Sequence, residues 1–181
     1  MSILKVARLG HPVLRQPAVA LTKGDVRSTE IQRLIDDMRE TVDEYDGAGL
    51  AAPQVHWGVR LAVIEVAGPE DDPAAGIPFT VLVNPVVTPL VETKSVDFEG
   101  CLSLPDLRGP VARYDRVRLE AWDRQAKPFT LEAEGFFARV IQHECDHLDG
   151  IVFLDRMADM KALAFQREFE AYILNGPDDE A

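Results

Sequence analysis

The sequence predicts an α+β fold: a central metal-binding helix of H-E-x-x-H type among short antiparallel sheets, with one helix near each terminus. Three observations carry this. Helical periodicity appears before and after a middle region of short β-rich runs, the strands and helices do not alternate as in a parallel α/β sheet, and Pro and Gly punctuate the middle. From Thr29 to Tyr45 the apolar residues Ile31, Leu34, Ile35, Met38, Val42 and Tyr45 recur at helical spacing, with Thr29 and Gln32 placed as a capping box and Gly47 as the stop. Between Val59 and Trp122 the runs VRLAVIEV, FTVLV and RVRLEAW, followed by FTLEAEG, read as strands. A second helix is expected from about Phe136 to Leu148, ended by Gly150. A third is expected from about Arg156 to Leu174, followed by an acidic tail over 176–181.

Composition narrows the class. The chain has 181 residues, with Lys+Arg 19 against Asp+Glu 31 and a formal net charge of −12. Such a length fits one domain over residues 1–181 with a sizeable core. The 46% hydrophobic and 28% charged content is that of a folded globular chain. Apolar stretches break within about ten residues, short of the roughly 20 that span a bilayer, so no membrane segment is expected. The first residues lack the apolar core of a signal peptide, which makes a cytoplasmic location the expectation. The acidic balance argues against direct DNA binding, because nucleic-acid phosphates would be repelled over most of the surface. Two cysteines in a reducing compartment point to metal binding, catalysis or burial before a disulfide.

The segment Gln142-His143-Glu144-Cys145-Asp146-His147 carries the strongest chemical signal. Residues i and i+4 share one face of a helix, so His143 and His147 are placed to grip one metal ion, with Glu144 beside them in reach of a water held there. A catalytic metal site has three protein ligands and an open position, so one ligand is still to be found. Cys101, in Glu99-Gly100-Cys101-Leu102-Ser103-Leu104-Pro105, is the leading candidate, although taken alone it reads as a small buried hydrophobe. Cys145 competes for the role but points off the histidine face and reads as packing. In Gly47-Ala48-Gly49-Leu50-Ala51-Ala52-Pro53-Gln54, the small residues let a ligand approach the backbone, and the Gln54 amide can donate to an oxyanion.

Together these three segments resemble, in order and spacing, the signature motifs of peptide deformylases. The likeness extends to Gly10-His11-Pro12-Val13-Leu14-Arg15 and Phe153-Leu154-Asp155-Arg156, covering roughly Leu4 to Met157. Cys145 and His56 depart from residues common in the family, at positions that are not ligands. The resemblance implies removal of the formyl group from the N-terminal formyl-methionine of nascent polypeptides, with release of formate. It implies Cys101, His143 and His147 as metal ligands, Glu144 as acid/base, and the Gln54 side chain with the Leu102 N–H as oxyanion donors. It further implies that Ala48, Gly49, Glu99, Phe136, Arg139 and Val140 border the substrate, with Arg108 expected to pair with Glu99 in support of Cys101. The implied cofactor is one divalent ion per chain, Fe(II) in the cell, with Zn, Ni or Co compatible with the same ligands. The implied partners are formylated nascent N-termini, with ribosome association as a further expectation. Two other readings use the same residues: a metal-binding relative without activity, or another H-E-x-x-H hydrolase.

Overall fold

The computed structural model describes residues 2–68, 72 and 76–175; the expected acidic tail lies outside them. Helix α1 (Lys23–Val26) and helix α2 (Thr29–Glu44) precede a short strand β1 (Gly49–Ala51). Strands β2 (Leu61–Val66), β3 (Ile77–Pro89), β4 (Lys94–Cys101), β5 (Leu104–Tyr114), β6 (Arg116–Trp122) and β7 (Pro128–Glu134) follow. Helix α3 (Gly135–Leu148) then leads to strand β8 (Ala164–Phe165) and helix α4 (Gln166–Phe169), which continues as a π-helical turn to Leu174. All pairing in these strands is antiparallel: one sheet has the order β1-β2-β3-β6-β7, the other β4-β5-β8.

The near-continuous apolar run of β2 is explained by burial on both faces. Leu61 and Val63 pack with Ile35 and Met38 of α2, whereas Ala62 and Ile64 pack with Ala138 and Ile141 of α3. Helix α3 is therefore enclosed, with the five-stranded sheet on one side and β5 on another. A smaller cluster of Leu104, Val111, Val152 and Phe153 joins the second sheet to the chain beyond α3. No helix among the described residues is long and apolar enough to cross a membrane.

Two expected helix boundaries shift. The cap of α2 is Ser28, whose hydroxyl accepts from Ile31 N at 3.2 Å, while the Gln32 amide donates to the carbonyls of Val26 and Arg124 instead of closing a capping box with Thr29. Tyr45, expected on the apolar stripe, is 48% exposed. A C-terminal helix is present, but it starts at Gln166 rather than Arg156. Met157 and Leu163 turn toward the Phe153 cluster, Asp159 caps a 3-10 turn by accepting from Lys161 N, and Ala164–Phe165 pair with the edge of β5. A helix through this stretch would lose all three interactions.

Candidate metal centre and active-site cleft

Three chain segments meet at the site. Helix α3 carries His143, Glu144 and His147 on one face, the two imidazole centroids lying 4.9 Å apart. Helix α3 ends at Leu148, and just past its cap Asp149 stands Gly150, whose φ of +76° and close approach to Arg15 leave no room for a side chain; a Cβ would sit 2.9 Å from the Arg15 carbonyl carbon. Strand β4 delivers Cys101 at its end, where a register shift after Glu99 brings Cys101 opposite Leu104. The third segment, β1 and the 3-10 turn Ala52–Val55, is strapped to the β4–β5 turn by the N-terminal residues: Ala7 N donates to Gln54 O at 2.7 Å and Leu9 N to Ser103 O at 2.9 Å.

The ligand-type atoms of Cys101, His143 and His147 lie within 4.8 Å of one another. Cys101 Sγ is 3.2 Å from His147 Nε2, and Glu99 Oε2 holds His143 Nδ1 at 2.9 Å, leaving the other His143 nitrogen for the centre of the group. Burial alone would raise the Cys101 thiol, but the two imidazoles hold it well below the usual thiol range. One thiolate and two imidazoles form a donor set suited to Zn, Fe(II), Co or Ni. The group thus fits a divalent ion, and a buried carboxylate oxygen, Glu144 Oε2, stands beside it with no hydrogen-bond partner among the described residues. Burial pushes the Glu144 carboxyl up, against the pull of both histidines, a direction that suits a group able to take and return a proton.

The supporting shell differs from expectation. Glu99 does not pair with Arg108; it receives the Arg113 guanidinium through two bonds of 2.9 Å and Arg139 Nη1 at 2.9 Å. Arg108 instead lies across Gly100, where any Cβ would collide with its guanidinium, and donates to its neighbour's carbonyl, Leu107 O, at 3.0 Å. Strand alternation explains the change: Glu99 and Cys101 face α3, and Arg108 lies on the other side, over Gly100. Arg139 borders the cleft but donates to Glu99, Val111 O and Ser95 O, so its charge is spent within the wall. Despite burial, His143 and Arg113 keep the Glu99 carboxyl well below the usual carboxylate range. Arg113 also reaches Asp146 at 2.5 Å, and Arg156 reaches Asp146 at 2.6 Å. Sequence reading missed Arg113, Asp146 and Arg156. Asp146 sits inside the H-E-x-x-H segment, and its position on a helix otherwise buried was the available signal.

Opposite the Cys101, His143 and His147 group, Gln54 is buried and its amide is oriented by the backbone. Its Oε1 accepts from Ala51 N at 2.8 Å, which turns Nε2 toward Cys101 Sγ at 3.5 Å and Ser103 Oγ at 3.3 Å. Gly49 lies against Glu144; a Cβ at this position would be 2.9 Å from the carboxylate. Leu102, Ala48, Phe136 and Val140 border the same cavity, of about 670 Å³. Phe136 is 57% exposed at its mouth, and Cys145 is buried in the core away from the ligands.

Comparison with known proteins places this geometry. A family model described as polypeptide deformylase matches residues 3–163. Peptide deformylase 1 of Nitrosomonas europaea is 43% identical over 167 residues, covering 90% of this chain and 92% of the relative. Peptide deformylase 1 of Prochlorococcus marinus is 42% identical over 174 residues, covering 94% and 88%. Among solved structures, the Met-Ala-Ser-bound class I type b peptide deformylase of Acinetobacter baumannii superposes with a TM-score of 0.80 at 33% identity, covering 86% of this chain and 98% of that one. The actinonin complex of a Synechococcus elongatus peptide deformylase gives 0.77 at 37% identity, covering 88% and 81%.

Proposed function

The chain belongs to the polypeptide deformylase family, and we propose from that premise how its own residues carry the reaction. It is a metal-dependent hydrolase that removes the formyl group from N-terminal formyl-methionine and releases formate. Cys101, His143 and His147 hold the metal. When bound, the ion supplies a water of lowered pKa and an electrophile for the formyl oxygen. Glu144 accepts a proton from the attacking water and returns it to the departing amine. The Gln54 amide and the Leu102 N–H donate to the formyl oxygen as charge develops there, each such donor contributing about 10² to 10³ in rate. Glu99 fixes the ring of His143 by accepting from Nδ1, and Arg113 and Arg139 fix Glu99. Ala48 and Gly49 offer backbone to an extended peptide, and Phe136 and Val140 border the space for its first side chain.

We propose Fe(II) as the working ion and the compartment of translation, where formylated nascent chains arise, as the place of action. The observation that carries the reading is the convergence of three ligands, a buried unpartnered carboxylate oxygen and an oriented amide on one cavity. The test is formate release from a formyl-Met-Ala peptide by anaerobically prepared, iron-loaded protein. Wild type is expected to turn over, and Glu144→Ala to retain metal without turnover. Metal binding with no wild-type turnover would sink the reading. Activity and iron content are expected to fall together on air exposure, and unchanged values would refute iron. Ribosome association predicts co-sedimentation at low salt.

A further inference from the structure

The outer face of β4 bears a feature that the reaction does not use. Glu99 and Cys101 point toward α3, so Phe98 and Gly100 belong to the opposite face of the strand. That face is still part of the cleft, because Phe98, Gly100 and Arg108 border it together with Glu144 and His143. A cavity of about 670 Å³ is of the size that takes a ligand much larger than one side chain. Its outer end is therefore open to residues that follow the first in a bound peptide.

Phe98 does not stand there unsupported. Its ring packs on Phe169, with centroids 4.6 Å apart and planes tilted by 37°. Phe169 closes α4, and α4 is placed by β8, in which Ala164 pairs with Arg108 and Phe165 with Leu107. The strand that fixes Arg108 at the cleft thus also fixes the ring behind Phe98. Both phenylalanines are only partly buried, which leaves ring surface open to a ligand.

We propose that the C-terminal segment completes an aromatic subsite at the outer end of the cleft. In it Phe98, held by Phe169, receives an apolar or aromatic side chain from the second or third residue of the peptide. This rests on the peptide-hydrolysing reading of the cleft and adds a preference to it. Phe169 acts as a positioning residue, since it reaches the peptide only through Phe98. One aromatic pair is worth roughly a three- to tenfold preference.

The test compares formyl-Met-Ala-Ser with formyl-Met-Phe-Ser and formyl-Met-Ala-Phe, using wild type, Phe98→Ala, Phe169→Ala and Phe169→Tyr. Wild type is expected to show a KM roughly three- to tenfold lower for one of the two Phe-containing peptides than for formyl-Met-Ala-Ser. Phe98→Ala and Phe169→Ala are expected to bring that ratio toward one with little change in kcat, and Phe169→Tyr to restore it. Equal KM values in wild type, a ratio that survives Phe98→Ala or Phe169→Ala, or an equal rise for all three peptides would overturn the proposal. Calorimetric affinities of the deformylated peptides Met-Ala-Ser, Met-Phe-Ser and Met-Ala-Phe read the same ratio without turnover. A subsite without deformylation and deformylation without a subsite are therefore distinguished.

Discussion

The two walls of the cleft are built by opposite means. The wall of α3, β4 and β5 is ionic: Glu99, Arg113, Arg139 and Asp146 are all nearly buried and bonded to one another behind the Cys101, His143 and His147 group. The wall of β1 and the turn that follows is apolar and backbone-built, with Leu50, Ala51 and Ala52 fully buried and Gln54 pinned through Ala51 N. Imidazole rings rotate, so holding them needs directed charges. Oxyanion donors and a peptide-pairing edge need close approach, so small residues and main chain serve best there. Damage to the first wall should therefore be electrostatic and felt in metal content and stability, and damage to the second steric and felt in turnover.

The largest expected effect comes from Arg113→Met, which removes the cation shared by two buried carboxylates and leaves Glu99 to Arg139 and Asp146 to Arg156. Breaking a buried ionic group from one side costs about 3–5 kcal/mol, read as a fall of roughly 10 °C in Tm, with metal affinity down about 10- to 100-fold. On the opposite wall, Gln54→Glu keeps the acceptor for Ala51 N but removes both donors; kcat should drop by about 10² to 10³. Gly49→Ala intrudes on Glu144, and displacing that carboxylate by a fraction of an ångström to an ångström should cost about 10² in kcat at full metal content.

The smallest effect sharpens the contrast between buried and exposed charge. Asp155 is partly buried, which would raise its carboxyl, yet Arg15 and Val152 N hold it below the ordinary value. Its folded-state value being depressed, Asp155 adds stability in full above the unfolded carboxylate value of about 3.9 and loses it as pH falls through the lower folded value. The Arg15–Asp155 pair is more than a third exposed, so solvent screening limits this to less than about 1 kcal/mol. Denaturation of Asp155→Asn is expected to differ little from wild type at pH 7, and the difference is expected to shrink further as pH is lowered below about 3.9.

Much of this arrangement was legible in the sequence, and the unread parts have physical causes. The helices α2 and α3 and strands β6 and β7 declared themselves because each turns a periodic apolar set toward the core, and β2 because its near-continuous apolar run is buried on both faces. Strands β4 and β5 did not. KSVDFEGC alternates charge with small or apolar residues on an exposed strand, and LPDLRGPVARY carries Pro and Gly that ordinarily break strands. In the fold, Pro110 takes a place in the β4–β5 pairing and Gly109 leaves room for Met157. His143, Glu144 and His147 were legible because their spacing is dictated by one helix, whereas Cys101, on β4, was a candidate that only the resemblance singled out. The buried ion network was not, since Glu99, Arg113, Asp146 and Arg156 lie on separate elements and nothing local marks a charge as buried. Arg108 was paired with Glu99 by proximity in sequence, and the alternation of β4 and β5 overrides that proximity.

The claim that one wall holds the metal and the other works on the substrate is tested most directly by measuring metal content and formate release in parallel on wild type, Arg113→Met and Gly49→Ala. Arg113→Met is expected to lose metal and activity in proportion, while Gly49→Ala is expected to keep its full metal and lose about 10² in turnover. Full metal in Arg113→Met, or metal loss in Gly49→Ala matching its loss of activity, would contradict it.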